Sequence, residues 1–389
     1  MKKLTALVTA AVMLGMPMGA QALSSEQAEG YARGIITYEK AANGIKEGDS
    51  LFSGKIADNA AEDSSDWLVI GAVRFGFEDS TAEYYNHWKK CIDEKYTYEG
   101  GLDRTKATEW HRAALTAVCL GADPTDLSGI DLLTDGVYSR GEDLGRQGLN
   151  GWVWALIAID SCDWKVPESA ELSRTDIVRH ILESQNGDGG FSIEESAGRS
   201  DPDLTAMVLQ ALAPYRGSEE VSAAAERALD YLAGNRGNTC ETLSQIVCAL
   251  CCLGKDPDED SRFEGLTDDL IAYANDDGGF SHEKDSGSSE MASAQALIAL
   301  CSLERLRNGE RGVFDMNSGP PAAPTACTLE EAAAAKEVNL TMPRENVMPS
   351  PIKHESKATK TALVVSILVC SVGAVAAGII LRRRKENKE

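Results

Sequence analysis

The chain repeats one short apolar pattern six times: IGAV at 70–73, LTAV at 115–118, LIAI at 156–159, LQAL at 209–212, VCAL at 247–250 and LIAL at 297–300. Alanine holds the third position of every copy, and successive alanines lie 45, 41, 53, 38 and 50 residues apart. A period in the forties is typical of stacked helical hairpins, because one hairpin cannot bury its apolar face alone. The small alanine predicts six helices that approach one another closely around a common centre.

Amphipathic segments alternate with these apolar ones along the chain. No stretch alternates with a period of two for long enough to indicate a sheet. The apolar segments are expected to form an inner ring and the amphipathic segments an outer ring. We therefore predict an all-α fold, an α6/α6 toroid of six helical hairpins, over residues 23–317.

Both ends of the chain carry targeting signals. Residues 1–22 combine two lysines, an apolar run and an Ala-Gln-Ala cleavage site, which is typical of a secretory signal peptide. Residues 362–381 are 20 uncharged residues, enough to cross a bilayer as one helix. The basic tail at 382–389 is expected to stay in the cytoplasm.

These signals predict a single-pass protein of the bacterial cell membrane, with an extracytoplasmic toroid and a cytoplasmic C-terminus. Residues 318–361 contain six prolines and are predicted to form a stalk between the toroid and the C-terminal transmembrane helix.

The charge balance restricts the partners. The formal net charge of the chain is −23, and both the predicted signal and the tail are basic, so the central part is more acidic still. Such a surface repels nucleic acid and anionic lipid headgroups. We expect no nucleic-acid partner.

Two glycine turns follow predicted outer helices, Asp188–Phe191 (DGGF) and Asp277–Phe280 (DGGF), and Glu99–Leu102 (EGGL) is a decayed copy. Paired glycines permit positive φ in a tight return, and the aromatic residue packs between hairpins. Together with the six repeats, these turns resemble those of the squalene cyclase and protein prenyltransferase repeat superfamily. The likeness is strongest to the single-toroid bacterial surface proteins of that superfamily, distant relatives of the transcobalamin and intrinsic-factor toroid.

The stretch Asp201–Ala206 (DPDLTA) resembles the DxDDTA motif of class II terpene cyclases. The resemblance implies Asp203 as proton donor and Asp201 as the first acid of the motif. Leu204 replaces the last aspartate, which removes a partner that this chemistry uses. The alternative is structural: Asp201 caps a helix and Asp203 lies in its first turn.

This chain lacks the residues that other activities of the superfamily require. Cys240 resembles the zinc-ligand cysteine of protein prenyltransferases, but Asn238 stands where an aspartate ligand is expected, and zinc takes three or four ligands. The Cys-Gly-Glu-Gln sequence of the thioester relatives does not occur. We expect no cofactor, zinc included. The transcobalamin likeness makes a corrinoid ligand conceivable, although this chain lacks the second domain that closes over it.

Polar and aromatic residues gather where the six apolar helices are expected to begin. Parallel inner helices would bring these residues to one opening, the inner-helix mouth, and such a mixture is typical of a ligand site. The candidate ligand-binding residues are Trp67, Glu109, Trp110, His111, Asn150, Trp152, Asp201, Asp203, Glu241 and Glu290. The alternative is that the polar residues cap their helices and the tryptophans pack at the rim.

Three functions fit the sequence. The first is a binding module without catalysis that holds an unknown small molecule or surface protein at the mouth. The second is a reduced isoprenoid cyclase or lyase with Asp203 as its catalytic acid. The third is an adhesion or scaffold module that uses the convex surface, as repeat proteins do.

Overall fold

A computed structural model of the chain describes residues 22–194, 198–321 and 324–337. These residues form a helical array in which the one strand, Arg146–Gly148, is three residues long. The helices are α1 (Ser25–Ala42), α2 (Gly54–Asp58), α3 (Asp63–Phe75), α4 (Ala82–Glu99), α5 (Thr108–Cys119), α6 (Leu149–Asp160), α7 (Arg174–Glu183), α8 (Pro202–Leu212), α9 (Glu219–Gly234), α10 (Cys240–Cys252), α11 (Leu266–Ile271), α12 (Glu290–Arg307) and α13 (Leu329–Glu337).

Six helices form a closed inner ring. Each of them contains one copy of the apolar repeat, and in order they are α3, α5, α6, α8, α10 and α12. Each packs on the next, and α12 packs back on α3. The repeat alanines are at most 2% exposed, so the small side chain lies where helices meet. A large residue there would push neighbours apart.

The ring closes through a glycine. Gly71 of α3 faces α12, and a Cβ built on it would lie 3.1 Å from the Leu297 side chain. That separation is tighter than ordinary van der Waals contact, so the close approach of α3 and α12 depends on the missing side chain.

The outer layer is less regular than six helical hairpins. Helices α1, α7, α9 and α11 each pack on an inner helix. Between α5 and α6 no outer α-helix forms, and a π-helical turn, Thr134–Tyr138, and a 3-10 turn, Gly141–Gly145, take its place. Gly136 explains part of the difference, because a Cβ there would lie 2.5 Å from the Trp110 Cβ. The prediction of six helical hairpins is therefore wrong at the third repeat.

Aromatic rings fill the centre of the ring. Trp67 of α3 and Trp154 of α6 lie 5.0 Å apart between ring centroids, although α5 separates their helices in the ring. Phe314 packs on both, at 6.0 and 5.5 Å. The contact of α3 with α6 therefore crosses the interior.

The segment that carries Phe314 closes the C-terminal end of the ring. The buried Arg74 side chain donates to the Val313 carbonyl at 2.8 Å, and Arg305 donates to the Arg311 carbonyl at 2.7 Å. The Met316 N–H donates to the carbonyl of Ser161, which follows α6, at 2.7 Å. This closed end leaves the opposite end, where the inner helices begin, as the mouth.

The predicted fold class included a C-terminal transmembrane helix, and this part of the prediction is contradicted. No helix among the described residues is long and apolar enough to cross a membrane. The longest, α1, α4 and α12, have 18 residues each, and every one of them carries several charged side chains. The predicted span at 362–381 and the basic tail at 382–389 lie outside the described residues. All of the predicted signal at 1–22 except Ala22 lies outside them too.

Part of the predicted stalk, 318–361, packs on the helical array. Helix α13 lies against α7, and the Cys327 N–H donates to the Gly217 carbonyl at 3.1 Å. Lys336 of α13 pairs with Asp163 at 2.5 Å. These contacts attach residues 324–337 to the outer surface of the array, which differs from an extended stalk.

Candidate functional site

The two glycine turns position the N-termini of α8 and α12. In the first turn, Asp188 Oδ1 accepts hydrogen bonds from a glycine N–H of the turn at 3.1 Å and from the Ser200 hydroxyl at 2.6 Å. In the second turn, Asp277 Oδ1 accepts the two equivalent hydrogen bonds, from the Gly279 N–H at 2.6 Å and from the Ser288 hydroxyl at 2.7 Å. Each aspartate therefore connects its turn to the residue before an inner helix.

The two glycines of each turn are needed for different reasons. Gly189 and Gly278 have φ of +89° and +90°, a conformation that residues with a side chain rarely adopt. Gly279 lies so close to Ser288 that a Cβ on it would be 1.5 Å from the serine Oγ. The DGGF pattern thus has a structural explanation in both copies.

Asp201 caps α8. Its N–H donates to the Phe191 carbonyl at 2.7 Å, and its Oδ1 accepts from the Leu204 N–H at 2.9 Å. Ser289 has the corresponding position before α12, where its hydroxyl accepts from the Met291 N–H at 3.2 Å. Since a carboxylate oxygen bound by a helix N–H is a helix cap, the structure gives Asp201 the structural role.

Asp203 is the second residue of α8 and differs from Asp201. Its Oδ1 is buried and has no hydrogen-bond partner within the described part of the chain. Burial raises the pKa of Asp203 from 3.8 to about 6, a hydrogen bond from Thr242 lowers it in part, and the charge of Asp201 raises it. An ionised carboxylate accepts hydrogen bonds and donates none, so this oxygen is available to a donor.

Glu241, in the first turn of α10, pairs with His282. Glu241 Oε2 lies 2.8 Å from His282 Nδ1, and the Cys240 N–H donates to the His282 carbonyl at 3.2 Å. Burial raises the pKa of Glu241, the pairing with His282 lowers it, and the charge of Asp203 raises it. The His282 side chain is 43% exposed while that of Glu241 is 8% exposed, so His282 is the solvent-facing member. We call Asp203, Glu241 and His282 the carboxylate–histidine cluster.

A surface groove lies beside this cluster. Its volume is about 400 Å³, and Asn238, Leu243, Tyr273 and Glu283 are among its lining residues. The Tyr273 hydroxyl donates to the Asn238 carbonyl at 2.6 Å, which holds the loop before α10 in place. Arg236, Asp269 and Lys284 also line the groove, so its charges are mixed. The groove gives room for the remainder of a small ligand near His282.

Glu109 belongs to a buried ion cluster instead. Its carboxylate accepts from Arg112 at 2.8 Å, and the same guanidinium binds Asp66 at 3.1 Å and also Asp63. Asp66 is fully buried and accepts from the Tyr84 hydroxyl at 2.7 Å. Because Arg112 is shared by three carboxylates, these groups hold α3, α4 and α5 together.

Trp110 and His111 are packed into the structure beside α5. The Trp110 indole N–H donates to the Tyr96 hydroxyl at 2.8 Å, and the Arg140 guanidinium lies 4.1 Å over its ring. His111 Nε2 lies 2.9 Å from the Gly136 carbonyl, and since a carbonyl only accepts, Nε2 carries the proton. Burial lowers the pKa of His111 to about 3, so the ring is neutral at pH 7.

Asn150 and Trp152 begin α6 and lie against the α7 side. The Trp152 ring stacks on His180 with centroids 3.8 Å apart. Asn150 Oδ1 and Trp152 Nε1 are buried, and the described residues offer neither a hydrogen-bond partner. These two side chains belong to the rim of the mouth, away from the pairing of Glu241 with His282.

The two remaining candidates lie elsewhere. Trp67 packs in the centre of the ring, as described above. Glu290 is exposed and lies with Glu39 of α1 at a small cavity. The structure thus brings together Asp203 and Glu241 from the predicted set.

His282 is the site residue that sequence reasoning missed. It follows the second glycine turn directly, two residues after Phe280. The corresponding position after Phe191 holds Ile193, so a comparison of the two turns would have shown that one of them carries a titratable group. A histidine without a local pattern gives no stronger signal.

Within the described residues, no group of three or more His, Cys, Asp or Glu side chains has an arrangement that could hold a metal ion. Cys240, the residue that resembles a zinc ligand, is buried and its thiol donates to the Ala292 carbonyl at 3.3 Å. Comparison with known proteins finds no matching family model and no matching curated protein. The site geometry therefore carries the functional argument.

Proposed function

We propose that the chain is a binding module that holds a small ligand with an ammonium or other hydrogen-bond-donating group at the carboxylate–histidine cluster. The observation that carries the proposal is the unpartnered, buried Oδ1 of Asp203. An orphaned buried acceptor costs about 1–3 kcal/mol, and a donor from a ligand removes that cost.

Charge and space favour a small cation. Asp203 and Glu241 are both acids, and the net charge of the chain is −23, so a cation is attracted to the mouth. Trp67, Trp154 and Phe314 occupy the ring centre, which leaves the mouth and the adjoining groove for a ligand. Kinship to the squalene cyclase and protein prenyltransferase superfamily is part of this proposal, since relatives of that kind use the same end of the ring.

The test uses three probes of matched size: n-butylamine, which is protonated at pH 7, n-butanol and butyrate. Binding is followed by NMR of the His282 ring, the exposed member of the cluster. We expect n-butylamine to bind with a Kd of about 1 mM, which corresponds to about −4 kcal/mol. Butanol should bind more weakly, and butyrate should leave the His282 signals unchanged.

Two variants make the test specific. Asp203→Asn removes the acceptor charge and should weaken n-butylamine binding about tenfold, since a charge-assisted hydrogen bond contributes about 1.5–3 kcal/mol. Glu259→Gln removes an exposed charge beyond the C-terminal end of α10, away from the groove, and should bind nearly as well as the native protein. Equal binding of amine and butyrate, or full binding by Asp203→Asn, would contradict the proposal.

A second candidate function is proton donation by Asp203 to an alkene. The raised pKa of about 6 supports it, because such a carboxyl keeps part of its proton near neutral pH. Incubation with an isoprenoid alkene in deuterium oxide tests it directly. Deuterium in the product, lost in Asp203→Asn, would support this function, and an unlabelled, unchanged alkene would exclude it.

A further inference from the structure

A second pair of carboxylates lies where the ring closes, away from the carboxylate–histidine cluster. Glu39 of α1 and Glu290 of α12 line one small cavity between α1, α3 and α12. Asn43, Asn59, Ser64 and Ser65 supply further oxygen atoms to its wall, and Ile56 and Leu68 form the apolar remainder. We call this cavity the seam cavity, because α12 packs on both α1 and α3 at this point.

Glu39 is buried in an unusual way. It is 2% exposed, and its Oε1 has no hydrogen-bond partner within the described chain. Its Oε2 accepts from the Asn43 side-chain amide at 3.0 Å. No ion pair to Glu39 occurs among the described residues, although a buried carboxylate normally has one.

The charges around the cavity also disfavour an ionised Glu39 that has no cation beside it. Burial raises the pKa of Glu39 well above its ordinary value, the charge of Glu290 raises it further, and the hydrogen bond from Asn43 and the charge of Lys55 lower it. Burial raises the pKa of the Tyr38 hydroxyl to about 12, and the negative charges of Glu39 and Glu290 contribute to this rise. Two acids therefore act on the same small volume with one lysine near them.

We infer that the seam cavity binds a calcium ion. The cavity has a volume of about 10 Å³, room for about one water-sized particle. Its possible ligands are oxygen atoms from two carboxylates, two amides and two hydroxyls, and such sets suit hard cations. Two carboxylates balance a divalent ion. Calcium tolerates an irregular oxygen shell, whereas magnesium demands a near-octahedral one and keeps its waters.

Calcium in this cavity would strengthen the ring closure. Glu39 belongs to the outer helix α1, Glu290 begins the inner helix α12, and Ser64 and Ser65 begin α3. One ion would thus connect three helices at the point where the last repeat meets the first. An ion that binds the folded chain and not the unfolded chain raises stability in proportion to the logarithm of its concentration.

The test is thermal unfolding of the full chain, first stripped with EDTA and dialysed, then measured with 10 mM CaCl2, MgCl2 or KCl. Calcium should raise Tm by about 4 °C, as expected for an ion at about 100 times its Kd. Magnesium and potassium should raise it by less than about 1 °C. No shift with calcium, or an equal shift with magnesium, would overturn the inference.

Three variants locate the ion. Glu39→Gln keeps the side-chain volume, and it should lose the calcium shift while its Tm in EDTA rises. Glu290→Gln, at an exposed position, should lose most of the shift and still fold, so it decides the matter if Glu39→Gln does not fold. Glu26→Gln, on the exposed side of α1, should keep the full shift. A calcium shift that survives in both Glu39→Gln and Glu290→Gln would place the ion elsewhere and overturn the assignment.

Discussion

The two sides of the inner-helix mouth use similar residues for different purposes. On one side, Glu109 has the second position of α5, and Arg112 pairs with it and with two further acids. On the other side, Asp203 and Glu241 have the second positions of α8 and α10, and no arginine or lysine pairs with either among the described contacts. The three acids have the same position in their helices, so position in the repeat does not identify a binding site. What distinguishes them is whether an arginine or lysine pairs with the acid.

His111 and His282 differ between the two sides of the mouth in the same way as the acids. His111 is buried, neutral and bonded to a carbonyl, whereas His282 is half-exposed and bonded to a carboxylate. A neutral, buried ring contributes to packing, whereas a half-exposed ring beside a carboxylate is accessible to a ligand. The α5 side is therefore structural, and the α8–α10 side is the candidate site.

The largest expected effect is on the structural side. Arg112→Met keeps most of the side-chain volume but leaves Asp63, Asp66 and Glu109 without their cation. Removing one partner of a buried ion cluster costs about 3–5 kcal/mol, so the free energy of unfolding should fall by about 4 kcal/mol. Urea unfolding at pH 7 measures it.

The matched control is Arg33→Met, which removes an exposed pair within α1. Its loss should stay below about 1 kcal/mol. If Arg112→Met were as mild as this control, the division of the mouth into a structural side and a binding side would be wrong.

The next effect depends on pH and concerns His111. Its folded-state pKa, about 3, lies below the ordinary value of 6.5, so the unfolded chain binds the proton more readily. Its contribution to stability is present above pH 6.5 and is lost as pH falls towards 3. Between pH 7 and pH 4, His111→Gln should lose about 3 kcal/mol less stability than the native protein. Urea unfolding at the two pH values measures the difference, and His87→Gln, an exposed histidine, should behave like the native protein.

On the binding side, the pH dependence of stability due to Asp203 has the opposite sign to that of His111. The folded-state pKa, about 6, lies above 3.8, so its contribution to stability is present below pH 3.8 and is lost as pH rises through 6. Asp203→Asn should therefore stabilise the protein by about 3 kcal/mol at pH 7 and by less than about 1 kcal/mol at pH 4. Unfolding at both pH values tests this, with Asp201→Asn as a near-neutral control because asparagine also caps helices. A less stable Asp203→Asn at pH 7 would show that the contacts of the carboxylate within the fold outweigh the cost of its burial.

The smallest effect on stability is expected for His282→Asn. A half-exposed pair contributes about 1 kcal/mol or less, so unfolding should change little. Binding of n-butylamine, measured by calorimetry, should weaken several-fold because Glu241 loses the group that orients it. Unchanged affinity would remove His282 from the site.

The sequence indicated the inner helices well and the contacts between distant segments poorly. Each apolar repeat lies in an inner helix because burial on nearly all sides requires a continuous apolar pattern, which is readable locally. Between α5 and α6, two short turns replace an outer α-helix, and the close approach of Gly136 to Trp110 there is not shown by any local pattern. The membrane-spanning helix of the predicted fold class is not among the described helices.

The site was predictable in part for the same reason. Asp203 and Glu241 were selected from their place at helix N-termini, and they lie in one cluster. Glu109 was selected on the same ground, but its role depends on Arg112 and on Asp66, which is 46 residues before Arg112. His282 reaches Glu241 from 41 residues away through a loop. Such pairings are set by how the ring closes, and a single sequence does not reveal them.

The most direct test of the binding site is the pKa of Asp203 itself, measured by NMR of its carboxyl carbon with and without saturating n-butylamine. A cation bound at Oδ1 favours the ionised form, so the account predicts a pKa near 6 in the free protein and below about 5 in the complex. An unchanged pKa in the presence of the amine would contradict the account, because it would mean that the ligand does not reach Asp203.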